Sequence, residues 1–186
     1  MKIGAISDTH GAPEAWHKAM RLFEGADLIV HAGDVLYHPP RLRPDREYDL
    51  PELARLINES PIPVIIARGN CDSEVYEELL QVPVQSPYAL VQHGNTRIVV
   101  GHGHLTDRDA MVRLGKKYGA SVFVSGHTHI PSLERVEGVV LLNPGSAAIP
   151  KFEKDGKLIG SIGIITNEGI RVLSIEDGTV LFELGW

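Results

Sequence analysis

Apolar positions along the chain fall into two periods, and the period changes tell the elements apart. Lys2–Ser7, Asp27–His31 and Pro63–Ala67 are short, nearly continuous apolar runs, the pattern of strands buried on both faces. Between the first two, Trp16, Ala19, Met20 and Phe23 recur at helical spacing. Pro13 suits a first helical position and Gly25 the exit; Pro51 similarly opens a helix carrying Leu53, Leu56 and Ile57. Thr106 and Asp109 have capping-box spacing ahead of Met111, Leu114 and Tyr118, which predicts a third helix just after His104. A strand at Ser121–Ser125 follows it. The remaining chain reads as strands punctuated by Glu137-Gly138, Asp155-Gly156, Glu168-Gly169 and Asp177-Gly178, with an earlier hairpin at His93-Gly94-Asn95. Alternating βαβ units first and hairpins later predict a pair of mixed sheets with helices outside.

Length and charge narrow the setting. At 186 residues the chain is expected to form one domain, 1–186, whose core needs neither disulfide nor structural metal. Eighteen Lys and Arg against 24 Asp and Glu leave a charge of −6, the wrong sign for gripping a long nucleic acid. Cys71 stands alone and cannot form an internal disulfide. Asp8 and His10 interrupt the place where a signal peptide would need its apolar stretch, and there is no apolar run near 18 residues. A cytoplasmic protein with no membrane partner is the expectation. The Phe182–Trp186 segment (FELGW) is compatible with a homo-oligomer of undefined stoichiometry.

Chemistry collects after the strands. Asp8-Thr9-His10 follows the first, Gly33-Asp34 the second, Gly69-Asn70 the third, Gly101-His102-Gly103-His104 a later one, and Gly126-His127-Thr128-His129 another. Loops at the carboxyl ends of strands in α/β sheets converge on one rim, so these segments would bring carboxylates, an amide oxygen and several imidazoles together. Such a mixed oxygen and nitrogen set without thiolates favours Mn, Fe, Co, Ni or Zn over Ca or Mg. Two ions sharing a carboxylate would form a clamp for in-line displacement at phosphorus. Glycines before Asp34, Asn70, His102 and His127 are expected to permit the sharp turns that aim these side chains.

The ordered motifs DTHG, GDV, RGNCDSE, GHGH, GHTH and NPGS, spanning Asp8 to Ser146, resemble the calcineurin-like metallophosphoesterase superfamily and its small YfcE-type phosphodiesterases. The resemblance implies a four-layer α-β-β-α sandwich of two mixed β-sheets flanked by helices, with a dinuclear metal site at one rim. It further implies that Asp8, His10, Asp34 and His129 hold one ion while Asp34, Asn70, His102 and His127 hold the other. Two divalent ions are expected, Mn2+ first, with Ni2+, Co2+, Fe2+ or Zn2+ as alternatives. The implied activity is hydrolysis of a small phosphodiester by a metal-bridging hydroxide, with Asn70 and His104 close to the phosphoryl oxygens. Where many superfamily members carry a His after the Asn ligand, this chain has Cys71, as in the YfcE type. A thiol, with an ordinary pKa near 8.5, yields a proton less readily than an imidazolium near 6.5. A preference for good leaving groups follows.

Plainer readings stand beside these. His104 is either a site contact or a helix-entry residue, Cys71 a catalytic neighbour or a small buried side chain, and Asn70 a ligand or a turn former. Asn143-Pro144-Gly145-Ser146 reads as a turn supporting the rim, His31 as a core residue, and His17 and His93 as solvated. Tyr37–Asp49, rich in Pro and Arg, is a loop in which Arg41, Arg43 and Arg46 either meet an anionic substrate or are solvated. Two other functions use the same residues or fold: a phosphomonoesterase or nucleotide phosphatase, and a non-catalytic interaction scaffold like the retromer subunit of this fold.

Overall fold

The computed structural model describes residues 1–37 and 48–186. Arg41, Arg43, Arg46 and most of their loop lie outside the described residues. Strands β1 (Lys2–Ile6), β2 (Leu28–His31), β3 (Val64–Ala67) and β4 (Val84–Gln85) run parallel, and α1 (Pro13–Leu22) and α2 (Leu50–Asn58) make the first two crossovers. β5 (Ala89–His93) and β6 (Thr96–Val100) form a hairpin, then α3 (Arg108–Tyr118) leads to β7 (Val122–Val124). β8 (Ser132–Val136), β9 (Val139–Asn143), the small ribbon β10 (Glu153–Lys154) and β11 (Lys157–Leu158), and the meander β12 (Ser161–Thr166), β13 (Gly169–Ser174) and β14 (Val180–Gly185) complete the chain.

These strands make two mixed sheets, ordered β14-β13-β12-β1-β2-β3-β4 and β5-β6-β7-β9-β8. The period-2 alternation of side chains decides how they stack. In β6, β7 and β9, Ile98, Val100, Val122, Val124, Val140 and Leu142 point to the other sheet, where they meet Ile3, Ala5, Leu28 and Val30. The alternate residues Val99, Phe123, Val139 and Leu141 face α3 instead. On the far side of the larger sheet, Ile6, Ile29 and Ile66 pack against Trp16, Ala19, Leu53 and Ile57 of α1 and α2. Two helices, two sheets and a helix thus form an α-β-β-α sandwich with three apolar layers.

The four strands bounded in the sequence, β1, β2, β3 and β7, match that reading to within a residue at each end. The third helix does not. It begins at Arg108, because Asp107 rather than Thr106 caps it by accepting the Ala110 N–H at 2.7 Å. Both residue types make good caps, and spacing alone does not choose between adjacent candidates. Asp49 caps α2 in the same way, accepting the Glu52 N–H at 3.0 Å.

Candidate metal centre at the shared rim

The carboxyl ends of β1, β2, β3, β6 and β7 open on one rim, so the five sequence segments meet there. The β1 and β2 loops are bonded to each other: the N–H groups of Asp8, His10 and Gly11 donate to the carbonyls of Gly33, Asp34 and Val35 at 2.9–3.0 Å. Asp8, His10, Asp34, His127 and His129 all take positive φ, between 43° and 70°. Only Glu137 and Asp155, both in hairpin turns, join them among the described non-glycine residues. Left-handed backbone costs an ordinary residue about 1–3 kcal/mol and persists where the surroundings enforce it. Here it turns the side chains toward one point.

Glycine matters at this rim mostly for space. Gly33 alone of the four expected turn glycines has positive φ. A Cβ at Gly69 would stand 2.1 Å from Asp34 Oδ1, and one at Gly126 would stand 1.9 Å from Ser7 Oγ. Those two glycines let neighbouring backbone press against the carboxylates.

Asp8, His10, Asp34, His102 and His129 are buried, whereas Asn70, His104 and His127 are exposed on the open side. Asp8 Oδ1 lies 3.3 Å from His129 Nε2, 3.7 Å from His10 Nε2 and 4.0 Å from His102 Nε2. Asp34 Oδ2 lies 3.3 Å from His102 Nε2 and 3.9 Å from His10 Nε2. Two compact groups result, Asp8–His10–His129 and Asp8–Asp34–His102. Both contain Asp8, so by this geometry it spans the centre as fully as Asp34 does. Asn70 Oδ1 approaches His102 Nε2 at 3.0 Å. His127 and His104 sit beyond these groups, their ring centroids 5.2 and 5.4 Å from that of His102.

Imidazole orientation sets the chemistry. His10, His102 and His129 each donate Nδ1–H to a backbone carbonyl, of Tyr37, Ala32 and Ile149, at 2.6–2.8 Å. In the neutral rings this leaves an Nε2 lone pair directed at the carboxylates, and the His10 and His129 Nε2 atoms face each other at 3.4 Å. Asp8 Oδ1 is buried without a hydrogen-bond donor. Converging lone pairs around a bare carboxylate oxygen require a proton or a cation between them, and carbonyl-anchored histidines are the usual support of metal ligands. The donor set therefore fits divalent metal.

Titration follows the same logic. Burial opposes charge on Asp8, but His10, His129 and His102 outweigh it and hold the carboxyl well below the usual range. Burial likewise opposes charge on His10 and His102, and the Asp8 and Asp34 carboxylates outweigh it to raise both. His104 and His127 lack so close a carboxylate, and burial lowers them. Burial, together with Asp34, pushes the Cys71 thiol up to about 12.

Two of the supporting residues, Asp72 and Ser7, are given no role by the sequence reading. Asp72 accepts N–H bonds from Asp34, Val35 and Gly69, all at 2.8 Å, and so ties two ligand loops together. Ser7 donates to Asp8 Oδ2 at 2.6 Å, and the His127 N–H donates to the same oxygen at 3.1 Å. Ser146 donates to the Asp8 carbonyl, and Asn143 to the Gly126 carbonyl, so the NPGS turn does support the rim. His31, in the core as expected, accepts the Gly33 N–H on Nδ1 and thereby donates Nε2–H to Thr9 Oγ1. The one cue for Asp72 was its place just past a Gly-Asn turn.

Residues 1–164 match the model of the calcineurin-like phosphoesterase superfamily domain. The chain belongs to that superfamily. Phosphodiesterase YfcE of Escherichia coli strain K12 is 35% identical over 186 residues, which cover 99% of this chain and 97% of that protein. The solved structure of YfcE, described as a phosphoesterase, aligns with a TM-score of 0.84 at 32% identity, covering 100% of this chain and 99% of that one. Vacuolar protein sorting 29 from Cryptosporidium parvum aligns with a TM-score of 0.69, covering 100% and 98%, at 19% identity, a likeness of fold alone. As a calcineurin-like phosphoesterase the protein is a metal-dependent phosphoesterase, and the sandwich is its family's fold. No helix among the described residues is long and apolar enough to cross a membrane.

Proposed function

We propose that residues 1–186 form a single phosphodiesterase domain that hydrolyses a small phosphodiester with two divalent ions, Mn2+ being the first candidate. The observation that carries the reading is the donor-free Asp8 Oδ1 facing the Nε2 atoms of His10, His129 and His102. The likeness to YfcE supports diester over monoester. Asp8, His10, Asp34 and His129 would hold one ion, and Asp34, Asn70, His102 and His127 the other. When bound, such a pair supplies the positive charge that acidifies water and neutralises phosphoryl oxygens.

The chain's own part is orientation. Carbonyl anchors hold His10, His102 and His129 with Nε2 inward, and Asp72 holds the Asp34 and Asn70 loops in register. Asn70 and His104 stand on the open side to contact phosphoryl oxygens. Cys71, accepting from Asn70 Nδ2 at 3.1 Å, keeps its proton at neutral pH and is a poor general acid. A reducing cytoplasm suits this unpaired thiol.

The test compares an aryl phosphodiester with its matching monoester, using protein stripped of metal and resupplied with Mn2+. Diester turnover that requires metal and is abolished by Asp34→Asn is expected. Monoester turnover alone would make it a phosphatase; no turnover with Mn2+, Ni2+, Co2+ or Zn2+ would refute the enzymatic reading in favour of a scaffold.

A further inference from the structure

His31 closes β2 with its side chain wholly buried, level with Ile6 and Ile66 on the strands either side. An aliphatic residue would fill that place without bringing polar atoms into the core, so packing alone does not account for an imidazole there. Its two nitrogens do. Nδ1 accepts the Gly33 N–H at 3.1 Å, which leaves the ring proton on Nε2. Nε2–H donates to Thr9 Oγ1 at 3.0 Å, and the Thr9 hydroxyl donates on to the Val35 carbonyl at 2.9 Å. This chain of bonds starts and ends on the β2 loop, at the residues either side of Asp34, and passes through the residue between Asp8 and His10. Burial pushes the His31 pKa down to about 3, so near neutral pH the ring keeps the uncharged form that the Nδ1 acceptor requires.

We infer that His31 is a positioning residue of the metal centre, bracing Thr9 against the β2 loop so that Asp8, His10 and Asp34 keep their places relative to one another. The inference rests on the metal-dependent reading of the centre and adds a residue outside the ligand set, which acts on it through Thr9 and Gly33. Thr9 is itself fully buried and stands between two residues with left-handed backbone, φ 55° at Asp8 and 43° at His10, a conformation that lasts only where neighbours enforce it. Asp34, at φ 55°, sits between the two ends of the brace. Asp72 grips the Asp34 loop from the β3 side, and His31 grips it from the β1 side.

Mn2+ dissociation constants test this, measured by chelator competition on metal-stripped protein well below its unfolding midpoint, with urea unfolding of each variant beside them. His31→Leu fills the space but has no nitrogen, and its Mn2+ affinity should fall about 10–100-fold. Thr9→Val breaks the chain one link on while leaving the imidazole in place, and should weaken binding to a similar degree. Because both changes disable one unit, the double variant should bind within about threefold of the weaker single variant rather than lose both factors. His31→Asn, whose amide oxygen can take the place of Nδ1 beside the Gly33 N–H, should recover about threefold or more of the affinity that His31→Leu loses, the worth of one net hydrogen bond. If His31→Leu does not fold, the cycle is run with His31→Asn. Lowered urea stability with Mn2+ affinity within about twofold of wild type would make His31 a packing residue and overturn the inference, as would losses that multiply in the double variant; the metal-centre reading would stand. Wild-type protein that binds neither Mn2+ nor Ni2+, Co2+ or Zn2+ would overturn both.

Discussion

Asp72 makes the sharpest test of how the rim is built. Its Oδ2 accepts the N–H groups of Asp34 and Gly69, and its Oδ1 accepts that of Val35. Asp72→Asn keeps the size but replaces one acceptor oxygen by an NH2 group. With the amide oxygen in the Oδ2 place, two bonds survive and the NH2 confronts the Val35 N–H; flipped, only one survives. Hydrogen bonds to a charged group contribute about 1.5–3 kcal/mol each, so losing one and neutralising the rest should cost about 3 kcal/mol. Urea unfolding of metal-stripped protein should then show its midpoint lowered by roughly 1–3 M for ordinary slopes. Because both loops carry proposed ligands, Mn2+ affinity should also fall about 10–100-fold, as for other residues that orient ligands. A stability change below about 0.5 kcal/mol with unaltered Mn2+ affinity would refute the idea that Asp72 holds the loops.

Further outcomes follow from the same geometry. A protonated imidazole cannot bind metal, and the neighbouring carboxylates raise His10 and His102 above the ordinary imidazole range in the metal-free protein, so Mn2+ affinity should begin to fall on acidification at a higher pH than for ordinary imidazoles. A chelator-competition titration flat between pH 8 and 6 would contradict this. Gly126→Ala would set a methyl 1.9 Å from Ser7 Oγ and 2.7 Å from Asp8 Oδ2, forcing the carboxylate aside. Its Mn2+ affinity should drop at least about tenfold, with wild-type affinity as the refuting result. Cys71→His should raise turnover of alkyl diesters, whose leaving groups need a proton, and leave activated aryl diesters within about twofold; unchanged alkyl turnover would remove the account of the thiol.

The strands feeding the rim were readable because buried parallel strands are nearly unbroken apolar runs and because glycine and histidine mark their ends. Ile3, Ile29 and Ile66 needed no tertiary information. The pairing of β1 with β12, which sets Lys2 opposite Thr166, could not be read, since neither run specifies a partner so distant along the chain. For the site, residue types and chain order pointed to the cluster, but not to its internal distribution. That Asp8 reaches three imidazoles depends on left-handed backbone at Asp8, His10 and His129, which side-chain preferences disfavour. Asp72 escaped notice because its partners are backbone N–H groups, which every residue possesses.

One consequence concerns the seam between the sheets. Asp8, His10, Asp34 and Asn70 belong to loops of the seven-stranded sheet, and His102, His127 and His129 to loops of the five-stranded one. Neither sheet alone presents either compact group. A cation bound there would reinforce two layers already tied at the rim by the His102–Ala32 and His127–Asp8 hydrogen bonds, and its binding energy would appear mechanically as resistance to their parting. On the proposed reading, catalytic competence and the cohesion of the sandwich's open edge would then depend on the same occupancy.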